Sequence, residues 1–99
     1  MKEVPVFQVG DRVLVDDAEF PSFWANGAIG SVADPPAAIR ALADGWSGHI
    51  RTVATVNGPR PYHWVVLDEP RRDSDGDGPY SQAEIAAASL RPLAGHRSA

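Results

Sequence analysis

Ile50-Arg51-Thr52-Val53-Ala54-Thr55-Val56, then Asn57-Gly58-Pro59-Arg60-Pro61, then Tyr62-His63-Trp64-Val65-Val66-Leu67-Asp68: two alternating runs flank a cluster of turn residues. Alternation on a two-residue period marks half-buried strands, because successive side chains point to opposite faces. Gly, Asn and Pro between two such runs mark a hairpin. Residues 50–68 are therefore expected to form a β-hairpin. Tyr62, Trp64 and Val66 share one face of it, and His63 lies on the other, at or near the surface.

Outward from the hairpin, Val9-Gly10-Asp11-Arg12-Val13-Leu14-Val15 is a turn running into a strand, and residues 28–33 are a second strand. Gly30 marks a bulge or a close backbone approach there. Val13, Val15, Ile29 and Val32 are the candidate core. Asp34-Pro35-Pro36 reads as a helix cap followed by a first turn in which proline costs nothing. A short helix is expected over 37–43, with Gly45 as its stop. Pro70 is expected to end the second strand of the hairpin, and residues 71–80 to form a polar loop. A second short helix is expected over 81–89, then a short strand at Leu90-Arg91-Pro92-Leu93. Residues 1–94 make one domain and residues 95–99 a tail.

Composition narrows the function classes. The chain has 99 residues, a net charge of −4 and 43% hydrophobic residues, enough for one modest core. Without Cys there are no disulfides, thiolate metal sites or thiol nucleophiles, which fits a reducing cytoplasm. No apolar run approaches the ~20 residues of a membrane span, and Met1-Lys2-Glu3-Val4-Pro5 carries no signal-peptide core. Residues 1–50 hold three Lys or Arg against seven Asp or Glu; the second half is balanced, six against six. A protein partner with a basic surface suits this charge better than a nucleic-acid backbone, which needs clustered Lys and Arg.

Residues 73–84, Asp73-Ser74-Asp75-Gly76-Asp77-Gly78-Pro79-Tyr80-Ser81-Gln82-Ala83-Glu84, fit the twelve-position calcium-loop pattern. Asp73, Asp75 and Asp77 fall at positions one, three and five, and Gly78 at the sharp turn of position six. Pro79 can offer its carbonyl at position seven. Glu84 can close on the ion with two oxygens at position twelve. The stretch through Ile85 resembles an EF-hand loop, and that resemblance implies bound calcium. An ordinary reading fits the same residues. Ser81 and Glu84 form a capping box on the expected helix, and Asp and Gly are default turn residues.

Residues 16–27 lack either periodicity and form a long loop holding Asp16, Asp17, Glu19, Phe20, Phe23 and Trp24; Trp46 sits in a second, Gly-rich loop. Phe20 and Phe23 can close the end of the core. Trp24 and Trp46, ringed by acid, suit contact with a partner's Arg or Lys. No positioned acid–base pair, nucleophile elbow or phosphate-cradling Gly motif is present, so an enzyme is not expected.

Three segments, residues 9–15, residues 27–32 (Gly27-Ala28-Ile29-Gly30-Ser31-Val32) and residues 62–68, resemble in order the Src-homology-3-like barrel of the nitrile hydratase β-subunit and its small bacterial relatives. The resemblance implies a mainly β fold: a small, partly open barrel of about five strands with one or two short helices. That family carries an Arg-rich stretch after its first strand. Asp16, Asp17 and Glu19 stand there instead, so its subunit-contact residues do not carry over. The expectation is a non-enzymatic module that binds a protein through its aromatic and acidic loops. A calcium-binding domain is the alternative, and a nucleic-acid-binding barrel is disfavoured by charge.

Overall fold

The structure, a computed structural model, describes residues 6–93. The expected tail at 95–99 lies outside them. The fold is mainly β. Seven antiparallel strands form one sheet that does not close. They are β1 (Arg12–Val15), β2 (Ile29–Ala33), β3 (Trp46–Ser47), β4 (Ile50–Thr55), β5 (Gly58–Arg71), β6 (Tyr80–Ala86) and β7 (Leu90–Pro92). The path runs β3-β4-β5-β2-β1-β7, and β6 pairs with β5 off this path. A six-residue helix α1 (Ala37–Leu42) follows β2, and a single 3-10 turn, Ala87–Ser89, precedes β7.

Strand β5 organises the molecule. Its first half pairs with β4, its second half with β2, and β6 runs beside the junction. Register assigns the two faces. Val13 opposes Gly30, Gly30 opposes Leu67, Val32 opposes Val65, and His63 opposes Ile85. These positions form the inner face, where Val13, Val15, Val32, Val65, Leu67, Ile85 and Leu90 make the core with Phe7, Ala25 and Ala28. Gly30 sits where β2 lies close against β5: a Cβ there would overlap Val66 O and approach Val65 Cγ1 to 2.9 Å.

Tyr62, Trp64 and Val66 do share a face, but it is the outer one. Val66 is 39% exposed, while His63, expected near the surface, is fully buried. Ile29 also moves out of the expected core, to 36% exposure, because its register partner is Leu14 on the outer face. Trp64 stays buried on that side and donates its indole N–H to Gln82 Oε1 at 2.6 Å.

The hairpin reverses at Val56 and Asn57, so Pro59 and Pro61 lie inside β5 rather than in a turn. They are tolerated because alternate residues of an antiparallel ladder need no donor toward the partner. Thr52, opposite Pro61, accordingly sends its own N–H away from β5, to Gly45 O. Strand β5 runs past Pro70 to Arg71. Helix α1 is capped at Pro36 without a side-chain bond, not by Asp34, whose carboxylate lies 3.6 Å from Arg40.

The helix expected over 81–89 is replaced by β6 and the 3-10 turn. Helix propensity favours this Ala-rich stretch only weakly, and pairing with β5 overrides it. As a strand it buries Ile85 against His63 and stacks Ala83 on Val65.

Candidate binding surface

The loop at 16–27 is irregular but tightly tied. Asp17 Oδ1 accepts the N–H groups of Glu19 and Phe20, and its Oδ2 accepts the Ser89 hydroxyl. Asn26 crosses the loop, accepting from Asp17 N and donating to Phe20 O and Pro21 O. Arg71, from β5, donates to Ala25 O and Asn26 O at 3.2 and 2.6 Å. Asp16 binds the Arg91 guanidinium at 2.5 Å. Of the acidic trio, Glu19 alone has an exposed side chain with no bond to the described residues.

These ties fix the aromatics differently. Phe23 and Trp24 are half-buried and pack on the core, with ring centroids 6.0 Å apart. Phe20 is turned outward and is 64% exposed. It stands beside a depression of about 400 Å³ that is also lined by Asp17, Phe23, Tyr62, Glu84 and Ile85. The floor is thus aromatic and aliphatic, and two carboxylates stand at it.

Trp46 is placed elsewhere. On β3 it opposes Arg51, which in turn opposes Tyr62, so it lies two strands from the depression on the same face. Its indole N–H is buried without a partner among the described residues. The two expected tryptophans therefore do not form one patch. Trp24 instead lies against Tyr80, centroids 5.6 Å apart.

Tyr80 joins the aromatic loop to the acidic one. Residues 72–79 connect β5 to β6 and are closed by their own bonds. Asp73 Oδ1 accepts the N–H groups of Asp75 and Asp77, and Asp73 O accepts from Gly76 N. Arg72 donates to Gly76 O and Gly78 O. The carboxylates of Asp73, Asp75 and Asp77 each place an oxygen within 4.8 Å of the others. The Tyr80 hydroxyl lies 3.5 Å from Asp73 Oδ2. Desolvation, then the charges of Asp73, Asp77 and Asp75, hold the Tyr80 phenol above its usual range.

The rest of the calcium-loop pattern is not assembled. With residues 80–86 extended, Glu84 opposes Trp64. Both its oxygens accept from Arg51 Nη1, at 3.0 and 2.8 Å. No helix exits the loop, the Ser81–Glu84 capping box does not form, and Pro79 lies on the run back to Tyr80. No local pattern in the sequence marks Asn26, Arg71 or Tyr80 as ties of these loops. The bonds of Arg71 cross 45 and 46 residues and leave no local signal.

No known protein family, curated protein or solved structure matches this chain. The barrel and EF-hand resemblances therefore rest on the quoted residues alone.

Proposed function

We propose that this protein is a non-enzymatic binding module whose partner is a protein segment carrying Arg or Lys beside an apolar residue. The exposed Phe20 ring, held out by a hydrogen-bonded loop beside an aromatic and acidic depression, carries this reading. Keeping an aromatic in water forfeits hydrophobic stabilisation. A loop that fixes it there leaves little entropy to lose on association. Phe23 and Tyr62 offer ring surface to an aliphatic or cationic side chain, and Asp17, which no Lys or Arg of the described residues pairs, favours positive charge. Trp24 flanks this surface beside Tyr80, and Trp46 extends it along the Arg51–Tyr62 row for a longer partner. The net charge of −4 favours a basic protein over nucleic acid.

Peptides selected by display against the protein are expected to be enriched in Arg or Lys. Phe20→Ala is expected to weaken the best of them at least tenfold while leaving the melting temperature within a few degrees of wild type, because Phe20 is exposed. Peptides without basic residues, or ones indifferent to Phe20→Ala, contradict the reading.

One observation favours a second reading: the gathered carboxylates of Asp73, Asp75 and Asp77. They are hard oxygen donors of the kind calcium takes, and a cation there offsets their mutual repulsion. Half of Asp73's capacity already serves the turn, and Glu84 is committed to Arg51. The donor set is thus that of a weak three-carboxylate site, not of an EF-hand. Millimolar calcium is then expected to raise the melting temperature of the wild type by mass action, but not that of Asp75→Asn/Asp77→Asn. Equal responses in the two proteins remove this reading.

A further inference from the structure

Two histidines hold both backbone polar groups of one residue. The N–H of Phe7 donates to His63 Nε2 at 3.2 Å, and the carbonyl of Phe7 accepts from His49 Nε2 at 2.8 Å. The imidazoles stack, with centroids 5.6 Å apart and planes 13° from parallel. The Phe7 ring meets His63 edge-on at 5.7 Å and is itself part of the core. His63 is fully buried on the inner face of β5. Neither histidine belongs to the proposed binding surface.

The hydrogen bonds fix the protonation of His63. Its Nε2 accepts, so it carries no proton; Nδ1 is protonated and faces His49 O at 3.4 Å. A second proton on Nε2 would set two donors against each other and place a charge in the core. His49 differs, because its Nε2 already donates and a proton on Nδ1 leaves that bond intact. Residues 6–10 belong to no strand. Beyond the histidine clasp they are held by Gly10 N donating to Val32 O and by a turn closed between Gln8 and Asp11.

We propose that His63 and His49 form a pH-operated latch on residues 6–10, closed while His63 is neutral and opened by one proton on His63 Nε2. Opening withdraws Phe7 from the core cluster and leaves the sheet intact, a local rather than global event. Among the described residues, the titratable groups that act on His63 are His49, whose charge opposes protonation, and Asp11, whose charge favours it. Its cross-strand partners Ile50 and Ile85 and its ring neighbour Phe7 are apolar. Burial, the largest effect, holds the imidazole below its usual range. The sign follows. An unfolded histidine takes its proton near pH ~6.5 and the folded one only at lower pH. The latch is therefore fully closed above that value and is lost as pH falls through the folded value.

The test is amide hydrogen exchange by NMR between pH 7.5 and 4.5, corrected for intrinsic rates, with the His63 imidazole followed in the same samples. Protection at Phe7 is expected to fall at least tenfold as His63 titrates, while Val65 and Leu67 keep theirs. In His63→Gln, whose amide oxygen can accept without titrating, Phe7 protection is expected to be independent of pH. The wild-type comparison of Phe7 with Val65 decides the matter if that variant does not fold. Retention of Phe7 protection through the His63 titration overturns the latch. So does loss of Phe7, Val65 and Leu67 protection together, which is global unfolding.

Discussion

Gly30 shows how a single residue sets the geometry of this sheet. Its missing side chain lets β2 lie close against its partner strand β5, where a Cβ would overlap a backbone oxygen that cannot rotate away. Gly30→Ala is therefore expected to destabilise the protein by about 1–3 kcal/mol, the usual range for overpacking. For a domain of this size that corresponds to a melting temperature lower by on the order of 10 °C. A thermal melt of the variant checks it, and an unchanged transition would mean that the two strands do not approach so closely. The Gly at this position was legible as a close-approach signal. The role of His63 was not. A polar residue between Tyr62 and Trp64 reads as outward-facing, because its burial depends on Phe7, 56 residues away, supplying a donor. The face assignment inverted for the same reason. The largest apolar side chains of β5 are on the outer face, where Trp64 is buried with its N–H satisfied by Gln82.

Elements followed local pattern where alternation was strong. Strands β1, β2, β4 and β5 and the short β7 were readable from period two, and their ends moved by a few residues. Strand β6 was not readable, since Ser81-Gln82-Ala83-Glu84-Ile85-Ala86-Ala87 carries Ala-rich helix propensity and a false capping box. Its strand character comes from β5, which offers Trp64, Val65 and Val66 as ladder partners. The same override decides what Glu84 does. Glu84→Gln is expected to cost roughly 1 kcal/mol, through the loss of a part-buried pair with Arg51. It is also expected to leave any calcium-induced shift in melting temperature equal to that of the wild type. A calcium response present in the wild type and abolished by Glu84→Gln would restore Glu84 as a ligand and contradict the strand register.

At the scale of the whole molecule, an open sheet packs its core on one face and carries two linked loops at one region of its surface. The aromatic loop at 16–27 and the acidic connection at 72–79 meet through Trp24, Tyr80 and Arg71. Both loops are legible in the sequence, but only as separate features, because their contact is made by the fold. Trp46 and Trp24, both loop aromatics in the sequence, are separated by the strand order. The proposed binding surface is then the one centred on Phe20, with Asp17 to attract a cation, and its association is expected to quicken as salt is lowered. Chemical-shift mapping with a basic, display-selected peptide tests this most directly. The predicted result is a cluster of large shifts at Asp17, Phe20, Phe23, Tyr62 and Glu84, weakened by added salt, with Ile29 and Val66 unmoved. Shifts centred on Ile29 and Val66, or confined to residues 73–78, would contradict it.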